Sequence, residues 1–190
     1  MNIQHTYPAL KRIGALLMLA FLVTLRPAWA QESPKAHPGY YSFDDLEAVM
    51  GTKPALSVNI EGQLLKLVAE SSRIDDPEFA DLLLQLIAIQ VRGFSMTADQ
   101  FAVMEERSSV IANRVQAAGW ETVVHMRQDG YYVDMYALSK PENAHIDGLM
   151  MLVVDQDKQE TVLVNIAGEI DPGELGRIGS KFNIAPLQDL

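Results

Sequence analysis

Apolar and polar residues alternate over several short stretches of the chain, and this period of two predicts β-strands. The predicted strands cover residues 56–60, 87–93, 120–126, 131–137, 149–154 and 161–167. Residues 149–154 are apolar on both faces, which is typical of a strand in the centre of a sheet. Asp129-Gly130 and the polar run 155–159 predict tight hairpin turns, so neighbouring strands should run antiparallel.

A period near 3.6 predicts helices over residues 43–50, 64–73, 77–86 and 98–118, and another after Asp171. The clearest begins at a capping box formed by Thr97 and Gln100, and carries an apolar stripe from Phe101 to Ala118. We therefore predict an α+β fold with a mostly antiparallel sheet of about six strands and helices packed largely on one face.

The first thirty residues have the order of segments that defines a cleavable signal peptide. Lys11 and Arg12 precede an apolar run at 13–25, and small residues stand at Ala28 and Ala30. The apolar run is shorter than the ~20 residues that a membrane-spanning helix needs. We predict a signal peptide at 1–30, a flexible leader rich in Pro and Gly at 31–39, and a single domain at 40–190.

Composition narrows the classes of function. Removal of residues 1–30 leaves 12 basic and 25 acidic residues, a net charge of −13. This charge argues against nucleic-acid binding, which needs a basic surface. The chain has no cysteine, so disulfides, thiolate catalysis, cysteine-ligated metals and lipid attachment at a cysteine are excluded. We expect a periplasmic or secreted protein with no membrane span after cleavage.

Histidines and carboxylates show no recognisable catalytic, cofactor or metal pattern. His37 lies in the leader, and His125 alternates onto the polar side of its strand. His145 and Asp147 would share one face of a strand, but two ligands do not make a metal site. Asp155-x-Asp157-x-x-Glu160 is too compact for a calcium loop and predicts a hairpin turn instead. No catalytic, cofactor-binding or metal residue is predicted.

Tyr132, Asp134 and Tyr136 share one face of a strand, opposite Val133 and Met135. Two interpretations are open. The three side chains form an exposed partner surface, since exposed aromatic residues on a sheet are typical of partner contacts. Alternatively, a helix covers this face as well.

The sequence Val-Asn-Ile occurs twice, at 58–60 and 164–166, each time two residues before a glycine. A duplicated structural unit and a coincidence between two similar strands are both open. In either case Asn59 and Asn165 should lie on the face opposite the flanking Val and Ile side chains.

Four segments resemble the bacterial DUF4252 family, a domain of unknown function. They are Val-Asn-Ile-Glu-Gly with the Leu-rich helix after it (58–68), Ala-Ala-Gly-Trp-Glu (117–121), Arg-Gln-Asp-Gly (127–130) and the run at 163–184. The resemblance implies an exported protein, although this chain lacks the lipobox cysteine that many members carry. It also implies a link to envelope-stress regulation, because some members are encoded near extracytoplasmic sigma factors. It supplies no catalytic residues.

We therefore expect a non-catalytic binding module of the envelope, acting on a protein or another ligand, with a connection to extracytoplasmic stress signalling. The expected partner is an envelope protein, and the sequence does not define the oligomeric state. Two alternatives are open. One is an enzyme with an unrecognised carboxylate or tyrosine site, and the other is a self-associating structural protein.

Overall fold

One antiparallel sheet of six strands organises the chain. The computed structural model describes residues 33–140 and 144–181; the predicted signal peptide, with Ala28 and Ala30, lies outside them. The spatial order is β1-β2-β6-β5-β4-β3. The bounds are β1 Leu56–Glu61, β2 Leu86–Ser95, β3 Glu121–Gln128, β4 Tyr131–Ser139, β5 Ile146–Asp155 and β6 Glu160–Ile170. The predicted α+β class and the six-stranded antiparallel sheet are confirmed.

Six helices in the described ranges precede β1, connect β1 to β2 and β2 to β3, and follow β6. They are α1 Asp44–Met50, α2 Gln63–Ser72, α3 Pro77–Gln85, α4 Ala98–Phe101, α5 Met104–Ala117 and α6 Leu175–Lys181. Short 3-10 turns occupy Pro34–Ala36 and Pro172–Glu174. No helix in the described part of the chain is long and apolar enough to cross a membrane.

Helices cover both faces of the sheet, which corrects the expectation that they lie largely on one face. On one face Met151 joins a buried cluster with Leu65 of α2 and Leu83 of α3. On the other face Met150 joins a cluster that includes residues of α1 and α5. The physical reason lies in β5, a central strand that is apolar on both faces, because each face then needs a cover to exclude water.

The helix predicted over 98–118 is interrupted. Its capping box is present, with the Thr97 N–H donating to Gln100 Oε1 at 2.8 Å. Val103 then takes φ −105° and ψ 4°, which separates α4 from α5. The predicted apolar stripe still faces the core over α5, where Met104, Ser108, Ile111 and Val115 are buried. No side-chain signal in the sequence marks the break.

The end of the predicted leader is held against the sheet. Gly39 lies so close to β5 that a Cβ atom placed on it would overlap the Asp147 carbonyl. The side chain of Asn165 binds both Gly39 and Tyr41. The expectation of a flexible leader up to residue 39 is therefore corrected for its last residue, because contacts distant in sequence fix it. We call residues 39–41 the anchor segment.

The two Val-Asn-Ile sequences flank the same part of β2. Gln90 pairs with Asn59 of β1 on one side and with Asn165 of β6 on the other. Asn59 is exposed and accepts a hydrogen bond of 2.9 Å from Arg92 Nη1, whereas Asn165 is buried. Both asparagines thus make polar contacts, but in opposite environments.

Candidate functional site

A buried carboxylate lies near the β3 edge of the sheet. Asp134 in β4 is 1% exposed and sits opposite His125 of β3. Arg127, two residues further along β3, donates from Nη1 to Oδ1 at 2.8 Å and from Nη2 to Oδ2 at 2.7 Å. His125 Nδ1 lies 2.8 Å from Oδ1. These three residues form what we call the Asp134 cluster.

The charges of the Asp134 cluster balance one another. The two-point contact between guanidinium and carboxylate is the strongest geometry available to such a pair. The hydrogen bonds to Asp134 raise the pKa of Arg127, against the opposing effect of burial. The pair thus offsets the cost of burying Asp134 and ties the edge strand β3 to β4.

His125 is the exposed member of the Asp134 cluster, with 64% of its side chain accessible. In the neutral tautomer that donates from Nδ1 to the carboxylate, Nε2 is left as an acceptor. The cluster could therefore hold a histidine in one orientation. Neither His125 nor Asp134 lines a cavity described below.

The three residues predicted as a partner surface differ in their exposure to solvent. Asp134 and Tyr136 are buried, so they do not form an exposed surface, and the interpretation in which this face is covered holds for them. Tyr136 belongs to the cluster that includes residues of α1 and α5. Its burial, and secondarily the charge of Asp134, raises its pKa to about 12, with Arg127 acting in the opposite direction.

Tyr132 is partly exposed and lies between the Asp134 cluster and a cavity. Arg127 Cζ lies 5.1 Å from the centre of the Tyr132 ring, in a cation–π contact. Tyr132 also lines a cavity of about 300 Å³, which we call the end cavity. Its other lining residues include Phe101, Ala102, Glu105, Gly130 and Gln156.

Two hairpin turns form one side of the end cavity. Gly130 takes φ 80°, a conformation that glycine adopts without strain, and its carbonyl accepts from the Gln156 N–H at 3.0 Å. A Cβ atom on Gly130 would lie 2.6 Å from Gln156 Oε1, so the Gln156 side chain would have to shift to admit a larger residue. The Asp-Gly signal and the Thr97–Gln100 capping box were both visible in sequence. The sequence did not show that the helix after the capping box and the turn at Gly130 line one cavity.

A second cavity, of about 280 Å³, lies between α3 and the C-terminal helical turns. Its charged residues are paired. Arg177 Nη2 lies 2.8 Å from Glu78 Oε2, and Arg177 Nε lies 3.3 Å from Glu174 Oε2. Arg73 Nη1 lies 3.0 Å from Asp81 Oδ1. The charged groups of this second cavity are thus already in salt bridges with other residues of the protein.

The two other histidines of the described residues, His37 and His145, lie near the anchor segment. His37 Nδ1 accepts from the Gly39 N–H at 3.2 Å, and burial lowers the pKa of His37 despite the nearby carboxylates of Asp147 and Glu169. His145 Nε2 lies 3.2 Å from Asp147 Oδ1. Within residues 33–140 and 144–181, no group of three or more metal-binding side chains is placed to hold an ion. The run from Asp155 to Glu160 is a hairpin turn, as predicted.

These elements define an α+β protein with a six-stranded antiparallel sheet, the Asp134 cluster near one edge and the end cavity. The chain belongs to the DUF4252 family, a domain of unknown function, whose model matches residues 49–178. The resemblance seen in the sequence is thereby confirmed, and the match includes both the Asp134 cluster and the end cavity. No curated protein and no solved structure matches the chain.

Proposed function

We propose that this protein is an exported, non-catalytic binding module of the envelope, and that its ligand or partner contacts the end cavity. The observation that carries the proposal is the composition of this cavity. It combines two aromatic side chains, Phe101 and Tyr132, with a few polar groups, as small-ligand sites commonly do. No described residue forms a salt bridge with its one carboxylate, Glu105.

Export rests on the sequence of residues 1–30, which has a basic start, an apolar run and a small-x-small site ending at Ala30. Expression of the full chain followed by cell fractionation tests it. We expect a periplasmic or secreted product whose N-terminal residue, by mass spectrometry, is Gln31. An uncleaved chain in the cytoplasm contradicts export.

The family resemblance supports a role in extracytoplasmic stress signalling.

An enzymatic function is the second candidate, and one observation favours it. His125 contacts Asp134 at 2.8 Å, as in sites where a carboxylate orients a general base. However, both oxygens of Asp134 are bound by Arg127, and Tyr136 is buried. The end cavity, rather than the Asp134 cluster, is where a molecule of appreciable size can enter, so binding is the better supported function.

Capture from envelope extract tests the binding function. Ala102 is exposed and lines the cavity, so Ala102→Trp should fill it. Ala117→Trp is the matched control, because Ala117 is an exposed helix residue outside the cavity lining. We expect cross-linking and quantitative mass spectrometry to recover a partner with the wild type and with Ala117→Trp, but not with Ala102→Trp.

Equal recovery with all three proteins contradicts a role for the end cavity. Circular dichroism should show that both tryptophan variants keep the fold, so that a lost partner reflects a filled cavity and not unfolding. Size-exclusion chromatography of the same samples tests the self-association alternative. An assembly that Ala102→Trp leaves intact, with no captured partner, favours that alternative.

A further inference from the structure

We propose that the end cavity recognises a protonated primary amine, either a free alkylamine or the side-chain ammonium group of a lysine. This inference rests on the proposed binding function and names the chemistry of its ligand. It is drawn from three independent features of the cavity: its charge, its aromatic residues and its surroundings.

The charge of the lining is the first feature. Glu105 is the one charged residue among those that line the end cavity. No salt bridge between described residues includes it, in contrast to the second cavity, where Arg177 lies between Glu78 and Glu174. A carboxylate left without a counter-charge at the wall of a cavity favours a cationic ligand over an anionic one.

The aromatic residues are the second feature. Phe101 and Tyr132 contribute π-systems, whose faces attract ammonium groups. In the structure Tyr132 already holds one cation, the guanidinium of Arg127, over its ring. The Phe101 ring has no such partner among the described residues. A carboxylate beside an aromatic ring can bind the charge of an ammonium group and also the methylene groups next to it.

The surroundings are the third feature. Four further carboxylates stand next in sequence to residues that line the cavity, and no salt bridge between described residues engages them: Asp99, Glu106, Asp129 and Asp157. Of the cations close in sequence to these residues, Arg127 is paired with Asp134 and Lys158 with Asp155, and Arg107 donates to the Met50 carbonyl. The local field therefore attracts positive charge.

The volume of the end cavity, about 300 Å³, is at the lower end of the range for ligand sites, which suits one small group.

Isothermal titration tests the inference on the exported product, purified after expression of the full chain. The probes are cadaverine, a lysine capped at both termini, and an equally capped norleucine, which lacks the ammonium group. We expect at least one amine to bind and the norleucine compound not to bind. Glu105→Gln should weaken amine binding by about threefold to tenfold. The neighbouring Glu106→Gln, which lies outside the cavity lining and contributes only to the surrounding field, should weaken binding by clearly less than Glu105→Gln does.

The two amine probes separate the sources of the ligand. Binding of cadaverine alone indicates a free amine, binding of capped lysine alone indicates a protein partner, and binding of both supports the shared chemistry. Three results overturn the inference: no binding of either amine, equal binding of norleucine, or equal effects of Glu105→Gln and Glu106→Gln. If the inference fails while Ala102→Trp still abolishes partner capture, the binding function stands with a different ligand chemistry.

Discussion

Asn165 in β6 donates a hydrogen bond of 3.0 Å from Nδ2 to the carbonyl oxygen of Gly39, 126 residues earlier in the chain. The same amide donates to the Leu149 carbonyl at 3.1 Å. Its Oδ1 accepts from the Tyr41 N–H at 3.0 Å and from Gln90 Nε2 at 3.1 Å. All four hydrogen-bonding positions of the side chain are therefore used. One buried amide thus joins the anchor segment to three strands.

Replacement of Asn165 by leucine should reduce the free energy of unfolding by about 2–3 kcal/mol, because it leaves buried backbone groups of the anchor segment without partners. Urea denaturation at neutral pH measures this change. Asn59→Leu is the matched control, since Asn59 occupies the equivalent position in β1 but is exposed. Its expected cost is below about 1 kcal/mol. Equal losses for both variants would contradict the assigned role of Asn165.

Gly148→Ala should release the anchor segment. A Cβ atom at this position would lie 2.6 Å from Gly39 Cα and 2.8 Å from the Trp120 ring, so either the segment or the ring must move. We expect a destabilisation of about 1–3 kcal/mol and faster proteolytic cleavage near residue 39. Gly93→Ala is the control, because its nearest contact would be 3.2 Å, to Leu56 Cβ. A proteolysis pattern unchanged in Gly148→Ala would show that the close approach does not hold the segment.

Tyr136 should make the protein less stable at alkaline pH. Its pKa in the folded state is about 12, against an ordinary value of 10.0 for an exposed phenol. Between these values the unfolded chain loses a proton that the folded chain keeps, so stability falls as pH rises. The loss should approach about 2–3 kcal/mol near pH 12. Tyr136→Phe, which cannot ionise, should show a smaller loss over the same range.

Phenolate absorbance near 295 nm provides a second measurement on the same protein. In the wild type, one tyrosine should ionise later than the others, and this late phase should be missing in Tyr136→Phe. A wild-type titration in which all tyrosines ionise together near pH 10 would contradict the burial of Tyr136 beneath the helices.

Elements set by local pattern could be predicted, and contacts between distant residues could not. The continuous apolar run along 149–154 was sufficient to place β5 in the centre of the sheet, because a strand apolar on both faces must be covered on both. The face formed by Tyr132, Asp134 and Tyr136 looked polar, yet two of its members are buried. Burial of Asp134 depends on Arg127 from a neighbouring strand, and only the register of β3 against β4 brings them together.

The same distinction applies to the candidate site. The capping box at Thr97 and the turn at Gly130 were each recognised as local signals. The helix that follows the capping box and the turn at Gly130 line one cavity. This arrangement depends on the order of strands in the sheet, which puts the β3–β4 and β5–β6 turns at one end. Sequence periodicity specifies which side of a strand a residue occupies, but not which turn lies next to it.

The Arg127–Asp134 pair should show an unequal response to the loss of either partner. Arg127 keeps 29% of its side chain accessible, so after Asp134→Leu its guanidinium can turn toward water. After Arg127→Met, by contrast, the Asp134 carboxylate stays buried with only His125 as a neighbour from the cluster. We expect a loss of about 3–5 kcal/mol for Arg127→Met and about 1–2 kcal/mol for Asp134→Leu.

The double variant Arg127→Met/Asp134→Leu completes the cycle, because it removes both charges and leaves apolar groups that can pack together. Its loss should be smaller than that of Arg127→Met alone, since no buried charge is left uncompensated. Urea denaturation of the four proteins at pH 7 gives the coupling energy. The pair of the exposed Lys158 and the half-buried Asp155 serves as the control cycle, with an expected coupling below about 1 kcal/mol. Additive losses at Arg127 and Asp134 would mean that the two-point contact does not stabilise the buried carboxylate.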